Sequence, residues 1–141
     1  MNRYIFFSLL ILQAQISTAA TFEVVNLRNA NGVIRCALYK DKAGFPDNPG
    51  KALEIVIADI DKEMKSSCSF DLTKELPAYV AISVLHDEDN DGKMKTNFIG
   101  IPKEGWAVSN NAKSQKFGPP LFEDSKFEIK KYTTQILKIN Y

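Results

Sequence analysis

The stretch AYVAISVLH, residues 78–86, is the most continuous apolar run downstream of the N-terminus. Tyr, Val and Ile favour the extended, pleated backbone, and the break from Thr73 to Pro77 separates the run from what precedes it. It reads as a central strand. Over most of the remaining chain, apolar and polar residues alternate with period two. Turn residues interrupt roughly every eight to twelve positions, and helical periodicity is nearly absent.

Upstream, TFEVVNL (21–27) and VIRCALY (33–39) read as the first two strands. The Asn31-Gly32 pair between them supplies positive-φ positions and predicts a tight hairpin. A long Pro- and Gly-rich connection (40–51) leads to ALEIVIADI (52–60), a strand or a helical turn running into one, and then to KSSCSFDL (65–72). Downstream, 93–122 is less regular, and KFEIKKYTTQILKINY (126–141) gives one or two closing strands. The class predicted is all-β: an antiparallel Greek-key β-sandwich of about seven strands. Tyr79 suits either a corner that caps backbone groups or ordinary core packing. Gly118-Pro119-Pro120 reads as a rigid loop placing Phe117, Leu121 and Phe122 on the core edge.

With 141 residues, 45% hydrophobic and 25% charged, the chain is long enough for one core and too short for two. The N-terminus MNRYIFFSLLILQAQISTAA joins Arg3, an apolar run from Tyr4 to Leu12, and small residues ending at Ala20. This is the pattern of a secretory signal peptide over 1–20, leaving a domain over 21–141. The run is well short of the ~20 residues that cross a bilayer, so no transmembrane anchor is expected in the mature form. Nor does a cysteine stand at the cut for lipid attachment. The expected location is secreted, periplasmic or extracellular. Removing Arg3 leaves 17 basic against 17 acidic residues. Interspersed signs of this kind exclude nucleic acid and argue against an anionic membrane surface as partners.

Two cysteines are present, Cys36 and Cys68. Ile34, Cys36 and Leu38 share one parity of an alternating run, and Cys68, Phe70 and Leu72 share one parity of another, so both thiols point into the core. In an exported chain the inference is a disulfide; buried free thiols are the alternative.

HDEDNDGKMKTN (86–97) follows the central strand. Asp87, Asp89, Asp91 and Gly92 match the first half of a calcium loop, in which alternating carboxylates converge on one ion. Lys95 and Phe98 then stand at the ninth and twelfth positions, where oxygen ligands are needed, and the flanking segment is a strand. An EF-hand is excluded. Three readings remain: a charged turn, a strand-flanked calcium site completed by Asn97, Glu104 or Glu123, and acid catalysis. Calcium is thus the one cofactor considered; otherwise none is expected. His86, the only histidine, is read first as a structural hydrogen bonder and second as a binding residue. Trp106 is read as cover for the sheet or as a ligand-stacking aromatic.

LPAYVAISVLHDEDNDGKMKTNFIGIPKEGWAVSNNA, continued by FGPPLFEDSKFEI, resembles the bacterial exported family of domain of unknown function 2141. The HDxDxDGKM, NFxGIPKEGW, SNN and FGPPLFED stretches carry the likeness. It implies a transthyretin-like or immunoglobulin-like sandwich and no assigned activity. The family carries an acid where this chain has Lys95, which weakens any carried-over metal role. The function expected is a secreted, non-enzymatic binding or structural envelope protein. A calcium-dependent carbohydrate-binding or adhesion module is the alternative, and a hydrolase using the loop carboxylates comes third.

Overall fold

The computed structural model describes residues 18–130 and 133–141; most of the expected signal peptide, 1–20, lies outside them. Eight strands form two sheets: β1 (Ala19–Val25), β2 (Val33–Tyr39), β3 (Glu54–Ala58), β4 (Ser66–Asp71), β5 (Tyr79–Asp87), β6 (Gly105–Val108), β7 (Phe127–Glu128) and β8 (Thr134–Lys138). One sheet has the order β4-β1-β8. The other has the order β3-β2-β5-β6, with β7 added against the start of β5. The fold is therefore an all-β sandwich. β5 lies between β2 and β6, as a continuous apolar run requires.

Alternation builds the core. Ala20, Phe22 and Val24 of β1, Cys68 and Phe70 of β4, and Leu137 of β8 face Ile34, Cys36 and Leu38 of β2 and Val80, Ile82 and Val84 of β5. Each such side chain removed from water stabilises the fold by about 1.5–3 kcal/mol for the larger aliphatics. Cys36 and Cys68 are joined, with Cα atoms 6.4 Å apart, tying β2 of one sheet to β4 of the other. ALEIVIADI resolves into a 3₁₀ turn at Pro49–Lys51 just before it and then β3.

Three expectations are corrected. First, β1 and β2 do not form a hairpin: β1 pairs with β4 and β8, while β2 pairs with β3 and β5. Both strands bury one apolar face, and those faces meet best across the sandwich. The link between them arches from one sheet to the other, with Asn26 at φ 66° and Leu27 buried. Gly32 serves close approach, because a Cβ there would overlap the Asp87 carbonyl oxygen. Second, β8 runs parallel to β1, so the sheets are not wholly antiparallel. Third, Tyr79 is neither a corner nor core: it is 54% exposed, with Lys126 Nζ 5.9 Å from its ring centre. Pairing also reaches Ala19, opposite Asp71, on the leader side of the predicted cut.

Candidate functional site

The outer face of the β3-β2-β5-β6 sheet positions the site. Register places Ile57, Arg35, Leu85 and Trp106 in one row across the four strands, and Ile55, Ala37, Ser83 and Val108 in the next. The two central positions of the second row are small, so the sheet surface dips there. Beyond it, Tyr39 and Ala81 are covered by Phe45 and Phe122; Phe45 stacks edge-on with both Tyr39 and Phe122, at 5.5 and 5.7 Å between centres. Cover ends at that point.

The uncovered part is a groove of about 640 Å³. Pro46 and Pro49 wall it from one loop, Met94, Thr96 and Pro102 from a second, and Pro119 and Pro120 from a third. Its size and mainly apolar lining, with a few polar groups, suit a small ligand. Trp106, half-buried on β6, lines this groove.

Polar groups mark the two ends. Arg35 lies beside Gly92 and Lys93 at one end, and Tyr39 with Asp47 at the other, separated by ~13 Å of strand. Burial raises the Tyr39 phenol, with the Ser83 hydroxyl acting the other way and the Asp47 charge adding to the rise. Asp47 is exposed as a residue, yet desolvation raises its carboxyl too.

The acidic stretch turns out to brace the cationic end. Asp87 is fully buried; Oδ2 takes Arg35 Nε at 2.5 Å and the Gly92 amide at 2.8 Å, and Oδ1 takes the Asp91 amide at 3.1 Å. Arg35 Nη2 also donates to Asn90 Oδ1 at 2.8 Å. Positive φ at Asn90 and Gly92 closes this turn. Ligand atoms of Asp87, Asp89 and Asp91 do lie within 4.8 Å of one another. The chain's own cations meet two of them, Arg35 at Asp87 and Lys95 at Asp89, and Asp91 accepts from the Lys93 amide. Lys95 is the largest cause of the lowered Asp89 carboxyl, and Asp89 in turn raises Lys95.

The other expected ligands serve the backbone. Glu104, buried, accepts from the Glu88 and Lys95 amides and so ties both ends of the turn together. Asn97 Oδ1 accepts from the Ile99 and Ile101 amides. Glu123 pairs with Lys126. His86 is buried on the core side of β5: Nε2 lies 2.9 Å from the Asn31 carbonyl, and Nδ1 2.7 Å from the Tyr141 hydroxyl. A carbonyl only accepts, so Nε2 donates to Asn31, while Nδ1 is hydrogen-bonded to the Tyr141 hydroxyl. His86 fastens the C-terminus and does not line the groove. Phe117 and Leu121, expected at the core edge, are exposed; of the three, Phe122 alone is buried.

Residues 22–137 match the family described as "Uncharacterized protein conserved in bacteria (DUF2141)". The chain belongs to this family. No curated protein and no solved structure matches it. In this DUF2141 protein the stretches that carried the resemblance surround the groove: Gly92 to Met94, Thr96, Pro102, Trp106 and Gly118 to Pro120 all line it. Ser109-Asn110-Asn111 is the exception, and its role is mechanical. Ser109 Oγ accepts from the Ile82 amide and donates to the Ser125 carbonyl, while Asn111 bridges to Ile136 and Lys138 of β8.

Sequence reasoning missed Arg35, Ala37, Tyr39 and Ser83 as site residues. A signal was present. Arg35 and Ala37 share the outward parity of β2, and Ser83 is a small polar residue at the outward parity of β5, in the middle of its apolar run. A face meant only for packing would carry larger side chains there.

Proposed function

We propose that this chain is an exported, non-enzymatic binding protein of the bacterial envelope that holds an elongated amphiphile with an anionic end along the outer groove. The observation that carries the reading is the uncovered dip over Ala37 and Ser83, flanked by Leu85, Trp106 and Val108 and closed at one end by a braced Arg35. Apolar walls take the body of the ligand, and Arg35 with Lys93 takes its charge. Binding without chemistry is favoured because the groove brings no serine or acid near His86, which lies on the other face of β5. The calcium-dependent and hydrolytic readings rest on the acid turn, where Arg35 and Lys95 hold the places a cation would take and Asp87 is spent on bracing.

Export is supported by the leader-like composition and by the Cys36–Cys68 bond, since disulfides persist in oxidising compartments. Intact mass of protein from the envelope or medium should give a chain beginning at Ala20 or Thr21; retention of Met1 to Leu12 refutes export. Trp106 is the only tryptophan, so its emission reports the groove directly. Dodecanoate should shift that emission saturably in the natural chain and not in Ser83→Phe, whose ring fills the dip. An unsaturable response, or equal responses in both, removes the reading.

A further inference from the structure

We propose that two loops at the groove's rim, 97–101 and 115–118, dock this protein on an anionic membrane surface. The first presents Phe98 at 99% exposure, with Ile99 and Ile101 beside it. It is not a slack segment. Thr96 and Pro102 bridge its base, the Asn97 amide donates to the Ile101 carbonyl at 2.9 Å, and Asn97 Oδ1 takes two more amides. The second is closed by the Gln115–Gly118 bridge and presents Phe117 at 90% exposure. Thr96 and Pro102 of one, and Gly118 of the other, line the same groove, so the two aromatic tips rise from one rim.

The segment that carries them is rich in lysine, unlike the chain as a whole. Between residues 93 and 122 stand Lys93, Lys95, Lys103, Lys113 and Lys116 against a single acid, Glu104, which is buried and bound to amides. Lys95 is matched by Asp89; the other four make no ion pair among the described residues. Exposed aromatic tips among unpaired lysines fit a bilayer's chemistry, with rings entering the headgroup and acyl boundary and ammonium groups meeting lipid phosphates. A second copy of the chain fits poorly. It would bring the same four lysines against these, over tips far smaller than the ~800 Å² per partner of a stable interface.

The test is sedimentation of the purified chain, its N-terminus fixed by intact mass, with phosphatidylglycerol-containing vesicles and with phosphatidylcholine vesicles. Binding is expected on the anionic vesicles only, and should be lost at high salt. It should fall about tenfold in Phe98→Ser/Phe117→Ser, and by more than about fivefold in each of the charge reversals Lys103→Glu and Lys116→Glu. All four positions are exposed, so melting should not move. No binding to anionic vesicles, or equal binding by natural chain and Phe98→Ser/Phe117→Ser, overturns the proposal. A concentration-dependent dimer dissolved by Phe98→Ser overturns it in favour of self-association.

Discussion

Arg35 Nε lies 2.5 Å from Asp87 Oδ2, and the two side chains sit diagonally across β2 and β5 on the outer face of the five-stranded sheet. Asp87 is inaccessible, while Arg35 keeps about a quarter of its side chain in contact with the groove and solvent. The pair therefore does two things: it closes the turn after β5, and it fixes a guanidinium at one end of the groove.

Removing Asp87 should accordingly cost stability as well as geometry. Asp87→Ala leaves Arg35 without its anion and strands the Asp91 and Gly92 amides, an expected loss of about 2–4 kcal/mol, below a fully buried pair because Arg35 is partly solvated. Asp89→Ala, which removes only an exposed partner of Lys95, should leave the denaturation midpoint in place. Urea titrations of the two variants against the natural chain make the comparison, and equal effects would show that Asp87 does not brace the turn.

The same pairing decides how the turn treats calcium. A cation entering between Asp87 and Asp89 must displace Arg35 and Lys95, so millimolar calcium is expected to leave the melting temperature where chelator leaves it. A calcium-dependent rise that disappears in Asp89→Ala would establish a metal site instead.

Cys36 and Cys68 close a loop of 32 residues between the two sheets. Replacing both by Ala should destabilise by about 3–4 kcal/mol on the chain-entropy account. Denaturant midpoints with and without reductant give the measurement; no difference would mean the bond adds nothing beyond packing.

At alkaline pH the C-terminal lock should weaken. Burial is the main cause that raises the Tyr141 phenol, with the Arg28 amide opposing it and Glu88 adding to the rise. An unfolded tyrosine titrates near ~10. Its contribution is therefore complete below that pH and is lost as pH rises through the raised folded value. Tyr141→Phe should flatten part of the alkaline decline in melting temperature. An unchanged decline would place the loss elsewhere, with Tyr39, raised for the same reason, the first alternative.

Much of this fold was legible because parity is local. Ile34, Cys36 and Leu38 announce their common face without reference to any other strand, and so do Cys68 and Phe70, which is why the disulfide follows from two short stretches. Partner choice is not local. Asn31-Gly32 carries a hairpin signal, yet Gly32 serves close approach to Asp87, a residue far along the chain, and β1 pairs with β4 and β8. For the site, the acid turn was visible but its meaning was not. Whether three aspartates attract a metal depends on what faces them, and Arg35 arrives from β2. The groove was hidden for a related reason: its floor is two small residues on neighbouring strands, and its walls come from three separate loops.

The central claim is that a ligand lies over Ala37 and Ser83, between Arg35 and Trp106. The most direct measurement is the amide spectrum of the labelled protein titrated with dodecanoate. Shifts are expected at Arg35, Ala37, Ser83, Leu85 and Trp106, saturating together, while the core-side fasteners His86 and Tyr141 stay in place. Saturating shifts confined to the β4-β1-β8 sheet, or no saturating shift at all, would contradict the account.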